Sequence, residues 1–520
     1  VAENTQLNAT ATKLFLGSVL STTRLAYLVE TVDSTGSAAS GRKLNVTGVT
    51  DLQALDIAQA SISSSYRSAR TIDYQASQNL TIKDRYILDA QVRRDGSSLF
   101  GPDARYANFY RVAGAYRVSE DLKLPGIQEL KLRAARGTAG LRPGFSDQYE
   151  TYSLSAGSAT KFQLGNKALE PAIQTENEFG INASFLDRFD AELVHADRVT
   201  RGAFLRIPLS LAQSGGFQNQ IQNAADVGAK TTELSFQARV FDRPNFTYSF
   251  GLTGDHTTQK ILRLGRAPFR VNAGGQGQDV FYYKEGESLG IIYGAKWVRS
   301  FEELKQNPLY ASAVESDYVI NPLGFLVRST LRGTATEQPI KFIDAAGNDQ
   351  FKIGDVNPDF SFGFSNNVTL FGVGVYALFD GQKGGDIYNF TKQWMFQDFR
   401  HADEDQSGKA PADKIALPFF SGGLYNGLVA SDYFVESGTY VKLRELSVSY
   451  NVSPSLMSRV GMSRYANSMK LALIGRNLYT WTDYTGFDPD VTAGNDFNFR
   501  IDGFRYPQFR TITGQVSLGF

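Results

Sequence analysis

Few residues in this chain have the type and spacing that chemistry needs. Three histidines, His195, His256 and His401, lie far apart, and none has a second His at metal-ligand spacing. There is no Cys, which removes disulfides, thiolate nucleophiles and zinc–thiolate sites. Asp403-Glu404-Asp405-Gln406-Ser407-Gly408 begins like an EF-hand loop, but position twelve is Lys414 where a bidentate Glu is required. Asp344-Ala345-Ala346-Gly347-Asn348-Asp349 is a looser acidic loop. Calcium in one of these loops is the one cofactor the sequence offers, and a solvated acidic loop is the plainer expectation. Asp403 and Asp405 have the chemistry of a glycosidase carboxylate pair, but nothing places them in a pocket. GxSxG, P-loop and HExxH patterns are absent, so no enzyme is expected.

The aromatics are more suggestive. Tyr479, Trp481, Tyr484 and Phe487 fall within one short stretch. Such rings either form the aromatic girdle of a membrane barrel, which is favoured, or stack on a sugar or peptide ligand. The elements that would carry them alternate in hydrophobicity with period two. Ile512, Val516, Leu518 and Phe520 share one face of the last segment, with Thr511, Thr513, Gln515, Ser517 and Gly519 on the other. Tyr86, Leu88, Ala90 and Val92 repeat the pattern, as do Phe179, Ile181, Ala183 and Phe185, then Val373, Val375, Ala377 and Phe379, then Leu446, Val448, Tyr450 and Val452. The opposite faces carry full charges, which suits a water-filled lumen better than a sandwich core.

The 53 basic residues balance the 53 acidic ones without a block of either sign, so no nucleic-acid partner is expected. Glycine (49 residues) and Tyr plus Phe (25 and 37) suit an all-β protein. No run of about 18 apolar residues exists, which excludes a transmembrane helix but not a barrel. Short connections near 187, 241–245 and 371–372 alternate with long ones at roughly 140–174, 200–226, 258–357, 382–437 and 483–507. Strict alternation of that kind is the layout of an outer-membrane barrel, short turns periplasmic and long loops outside. Counting back from Phe520 gives about fifteen strands, the first three near 5–18, 22–32 and 64–82. Fifteen is odd, and an open edge in a bilayer leaves backbone groups unsatisfied, so further strands are expected elsewhere.

Several segments carry a family resemblance. Val92-Arg93-Arg94-Asp95-Gly96-Ser97-Ser98-Leu99-Phe100-Gly101-Pro102 resembles a hairpin of the SusC/RagA-like TonB-dependent transporters. The stretch from Gly475 through Asn477, Trp481, Tyr484, Phe487 and Asp488-Pro489-Asp490 to Val491 resembles another of their segments. So do Tyr506-Pro507-Gln508-Phe509-Arg510-Thr511, Asn357-Pro358-Asp359-Phe360, Gly384-Gly385-Asp386-Ile387-Tyr388-Asn389 and Glu285–Gly294. The resemblance implies a transmembrane antiparallel β-barrel of 22 strands. Residues 1–520 would be its C-terminal part, with an N-terminal plug and the first strands missing. It further implies the cell outer membrane, a SusD-like surface lipoprotein lid and the TonB-ExbB-ExbD complex as partners. The expected function is TonB-energised import of oligosaccharides or peptides, with a passive pore or assembly scaffold as the alternative. Candidate ligand residues are Trp481, Tyr484, Phe487 and Tyr293. Val516, Leu518 and Phe520 resemble the terminal signal read by the barrel-insertion machinery, and outer-membrane lipid is the expected surroundings.

Overall fold

The computed structural model describes residues 1–520 apart from 42, 47, 50, 156–157, 272–278 and 491–499. Val491 and parts of three expected loops therefore lie outside the described residues. One large sheet of seventeen strands consists of a short hairpin, Thr151–Ser155 with Ser158–Leu164, and fifteen longer antiparallel strands: β1 (Ala2–Phe15), β2 (Val19–Gly41), β3 (Ala60–Ile82), β4 (Tyr86–Ser97), β5 (Tyr106–Arg117), β6 (Ile127–Leu141), β7 (Ala172–Phe185), β8 (Phe189–Pro208), β9 (Asn219–Arg243), β10 (Phe246–Leu264), β11 (Pro358–Leu370), β12 (Val373–Gly384), β13 (Tyr440–Asn451), β14 (Ser468–Thr482) and β15 (Thr511–Gly519). Among the described residues no helix is long and apolar enough to cross a membrane. The chain divides into two compact units. One comprises Val1–Lys123, Lys131–Phe179 and Asp197–Val227, the other Leu124–Leu130, Gly180–Ala196 and Gly228–Phe520.

In the first unit, β1 to β5 pair in sequence order through two-residue turns on one side. Leu16-Gly17 and Lys83-Asp84 both take positive φ at two successive positions, the type I′ geometry whose twist matches the strands it joins. On the other side, the expected loop at 200–226 is shorter than alternation suggested. β8 and β9 extend to Pro208 and from Asn219, leaving a connection of 209–218. A small hairpin, Thr151–Ser155 with Ser158–Leu164, holds them up: Asn219 pairs with Gln163, and Arg206 donates to Gln163 and Asn219. Leu205, Ile207 and Leu169 are buried there, so these strand ends have a core of their own. The Arg93–Pro102 motif packs against the same support. Gly101 donates its N–H to the Leu169 carbonyl, and a Cβ on it would lie 2.3 Å from the Lys167 oxygen.

In the second unit, Leu186-Asp187 and Phe371-Gly372 repeat the I′ turns. The connection from β13 to β14 departs from strict alternation, since it carries the helix Pro454–Arg459 on the short-turn side. Registers from β12 to β15 separate the two faces. Val375 lies opposite Val448, which lies opposite Leu473. Tyr376 lies opposite Ser447, then Ile474, then Thr513. The alternation breaks once, where Arg444 bulges out of β13 beside the extra residues Asn477-Leu478 of β14. Long connections at 265–357, 385–439 and 483–510 do not wander as separate loops. Phe281, Ile292, Phe325, Tyr388, Phe396, Phe419, Phe420, Phe434 and Ile501 form one buried cluster drawn from all three.

Candidate functional site

The loop body in the second unit is assembled by the segments that carried the resemblance. Gly384 and Gly385 take φ of 75° and 73°, and a Cβ on Gly385 would lie 2.7 Å from the Val356 oxygen. That turn sends Ile387, Tyr388 and Asn389 into the core. Asn389 then caps the helix Phe390–Gln397 by accepting from the Lys392 N–H at 2.9 Å, while the Tyr388 hydroxyl donates to Gln393 at 2.8 Å. Asn357 reaches the Leu289 carbonyl at 2.8 Å, and the Asp386 carboxylate accepts from the Asp355 N–H at 2.8 Å. A Cβ on Gly294 would meet the Ala430 carbonyl at 2.3 Å. Gly385 and Gly294 are glycines because two backbones touch there, while Asn357, Asp386, Tyr388 and Asn389 tie the connections through side-chain hydrogen bonds.

Charge is buried in this body and compensated. Lys392 is 9% exposed; its Nζ lies 3.4 Å from Glu436 and 3.5 Å from Asp403, and 4.9 Å from the centre of the Tyr433 ring. Glu436 also accepts from the Thr485 N–H and hydroxyl at 2.8 Å, which ties the 385–439 and 483–510 connections. Asp502 accepts from Tyr484 at 2.7 Å and Thr391 at 2.8 Å. Burial, with the Asp502 carboxylate beside it, pushes the Tyr484 phenol far above its usual range. Burial also pushes Asp432 up to about 6, against the pull of the Arg299 guanidinium 3.9 Å away. Burial lowers His401, which Asp403 opposes. Its Nδ1 accepts from the Asp403 N–H at 3.2 Å, so the neutral ring caps a turn. The acidic loop at 403–408 is occupied in the same manner: Asp403 meets Lys392 and the Tyr433 hydroxyl, and Asp405 accepts from Ser407. Asp344 accepts from the Ala346 and Asn348 N–H groups, a turn of the Asx kind. Among the described residues no three His, Asp or Glu side chains converge to hold a metal.

The four rings expected to bind ligand are not brought together. Tyr484 is 5% exposed and bonded to Asp502, so it is a core residue and neither a girdle nor a stacking ring. Trp481 lies 4.7 Å from Tyr479 and 6.3 Å from Phe379. Phe379 continues the Val373–Val375–Ala377 face, so Trp481 sits on the apolar side of the sheet. Tyr293 stacks on Tyr282 at 4.3 Å, with the Arg270 guanidinium 5.3 Å from its centre. Phe487 is 69% exposed and free for contact. Val516 and Leu518 share the apolar face of β15 opposite Leu471 and Met469, and Phe520 follows beyond the final pair, Gly519 with Ser468.

What the structure offers instead is the polar face of the sheet. In the second unit a groove of about 510 Å³ is lined by Asn367, Tyr376, Glu445, Ser449, Lys470 and Gln515. In the first, a recess of about 530 Å³ has a floor of Ala113, Ala135 and Gly137 between two ion pairs, Arg111 with Asp89 and Arg133 with Glu178. Both walls carry charges of both signs, and the first sets them around an alanine and glycine floor. They suit the passage or holding of a large polar molecule more than covalent chemistry. The signal for them in sequence was the charged side of each alternating segment. The signal for the loop core was weaker, a concentration of Phe in connections too long to be simple.

No family model matches the chain. A TonB-dependent receptor, P3, of Formosa agariphila is 26% identical over 474 residues, covering 85% of this chain and 45% of that protein. A second receptor of the same organism, P26, is 25% identical over 93% of this chain and 49% of its own length. The TonB-dependent receptor SusC of Bacteroides thetaiotaomicron is 22% identical, over 86% of this chain and 44% of its own. The solved structure of the RagAB peptide transporter aligns over the whole chain and 55% of its own, with a TM-score of 0.77 at 16% identity. The chain spans about half the length of the curated relatives it matches. These similarities agree with the resemblance carried by the motifs. They give the sheet the fold of an outer-membrane TonB-dependent barrel and place the chain in the outer membrane as a multi-pass β protein.

Proposed function

We propose that this chain forms part of the wall and outer mouth of an importer that takes large nutrients, oligosaccharides or peptides, across the outer membrane with energy delivered through TonB. The observation that carries it is the two-faced sheet crowned by a single packed loop body: one face apolar, the other lined by paired charges and hydroxyls. In this reading the polar face is the lumen wall. Further strands pair with the edge of β1, whose residues are exposed along its whole length, because an open edge in lipid costs several kcal/mol per unsatisfied group. A plug fills the lumen and contacts TonB-ExbB-ExbD. A SusD-like lipoprotein covers the loop body, whose surface carries Leu309, Leu428 and Phe399 at 80%, 85% and 57% exposure. The curated relatives are named as receptors and the aligned structure as a transporter, which supports transport over catalysis.

The test is uptake of fluorescent oligosaccharide and peptide pools by cells with and without the whole protein, each with and without an uncoupler. Uptake that needs both the protein and the proton gradient is expected. Protein-dependent uptake that survives the uncoupler would replace the importer with a passive pore.

A further inference from the structure

The arginines of the first unit divide by face. On the polar face three are paired with a carboxylate: Arg93 with Asp95 at 2.6 Å, Arg111 with Asp89 at 2.5 Å, and Arg133 with Glu178. Arg94 and Arg136 lie on the other face. Register sets Arg94 in a row with Tyr74 and Asn108, directly above the row of Leu25, Ala76, Val92 and Tyr110. Arg136 lies opposite Val112. Among the described residues neither has a carboxylate within ion-pair distance. Arg94 rests on the Tyr106 ring, 5.0 Å from its centre. Arg136 donates to the Tyr110 hydroxyl at 3.2 Å and to Asn177 at 2.8 Å. Both side chains are exposed.

Their height on the wall is readable. Tyr86 and Tyr116 stack at 5.0 Å beside the Lys83-Asp84 turn and mark the inner interface. Eight residues separate Tyr86 from Arg94, about 26 Å along a strand. At the usual tilt that is about 20 Å of height, near the top of an apolar band about 25 Å tall. A groove of about 640 Å³ opens on this face, with Ala76 as its low floor, Leu25, Val92 and Tyr110 as walls, and Arg94 and Asn108 at its outer end.

We propose that this groove holds an anionic lipid of the outer leaflet, its phosphate on Arg94 and Asn108 at the outer end and an acyl chain over Ala76. A guanidinium turned toward lipid without a protein carboxylate needs an anion or water, and a lipid phosphate at the interface supplies bidentate acceptors. The acyl chain distinguishes this from capture of free phosphate, because the groove continues the apolar row and descends into the band.

The test is native mass spectrometry of the whole detergent-purified protein with dioleoyl phosphatidic acid, dioleoyl phosphatidylcholine or inorganic phosphate. Phosphatidic acid should be retained about ten-fold more than phosphatidylcholine, one charge-assisted contact's worth. The variant Arg94→Gln should lose that preference, and Ala76→Phe, which fills the floor, should lose retention with Arg94 intact. A heat-modifiable band, unchanged in each variant, checks folding. Equal retention of the two lipids by the unaltered protein overturns the proposal without any variant. So does a preference that survives the Arg94 substitution, or displacement of phosphatidic acid by inorganic phosphate.

Discussion

Replacing Ala377 with Arg tests the assignment of faces most directly. β12 leaves the Phe371-Gly372 turn at Val373, so Ala377 is four residues up, about 13 Å along the strand and about 10 Å in height. That is close to the middle of a band about 25 Å tall, where an outward Arg costs about 2–4 kcal/mol. Val375, about 5 Å up, should pay less, near 1–2 kcal/mol, because the penalty falls toward the interface. Tyr376 faces the groove with Glu445 and Lys470, where an added guanidinium stays hydrated. Tyr376→Arg should therefore cost less than about 1 kcal/mol. Reversible urea unfolding of the whole protein in lipid vesicles measures all three; the Ala377 value corresponds to about thirty- to several-hundred-fold in the equilibrium constant. Equal losses at 376 and 377, or the reverse order, would refute the assignment of faces and with it the lumen.

Deleting Phe520, or changing it to Ala, should sharply lower surface-exposed protein while synthesis continues, if the end of β15 is read by the insertion machinery; normal surface levels would leave only an interfacial ring worth about 1–3 kcal/mol. Tyr484→Phe should weaken the loop body by about 1–3 kcal/mol by leaving Asp502 short of a donor, seen as faster limited proteolysis of the loops, whereas Phe487→Ala should stay within about 0.5 kcal/mol. Asp432 is raised in the folded state to about 6 from 3.8, so the fold favours its protonated form. Its contribution is present in full below the unfolded value and lost as pH rises through about 6, a swing of about 3 kcal/mol at most. Asp432→Asn should then flatten loop-body stability between pH 4.5 and about 7, and a slope that persists in the variant would assign the effect to another group.

The sheet was legible because period-two alternation is a direct record of a two-solvent environment. The twelve long strands from β4 to β15 were all anticipated, the short strands inside the long connections were not, and the two-residue turns at 186–187 and 371–372 fell where the pattern broke. Strand ends were not legible where strands run past the membrane. The outer parts of β8 and β9 stay extended because a hairpin forty to seventy residues away supports them, and that support has no local signature. Tyr484 was misplaced for a related reason: its neighbours Tyr479 and Trp481 do face outward, but a Cβ at Gly486 would fall 2.4 Å from the Tyr484 ring, and the turn there swings the ring inward onto Asp502. The loop core was hidden because its members come from three connections, spread from Val280 to Ile501 and separated by strands of the sheet, and only their proximity makes them a core.

The packing of the motif residues bears on how such chains are classified. Gly385, Asp386, Asn389, Gly294 and Asp488 touch neighbouring backbone or a buried charge, and none of them lines the polar groove. A protein can therefore keep the whole signature while changing what it carries. Groove residues such as Asn367, Tyr376 and Lys470 lie outside the motif stretches and can be exchanged without removing any of these contacts. Sorting relatives by ligand should thus begin from the residues that the signature leaves out.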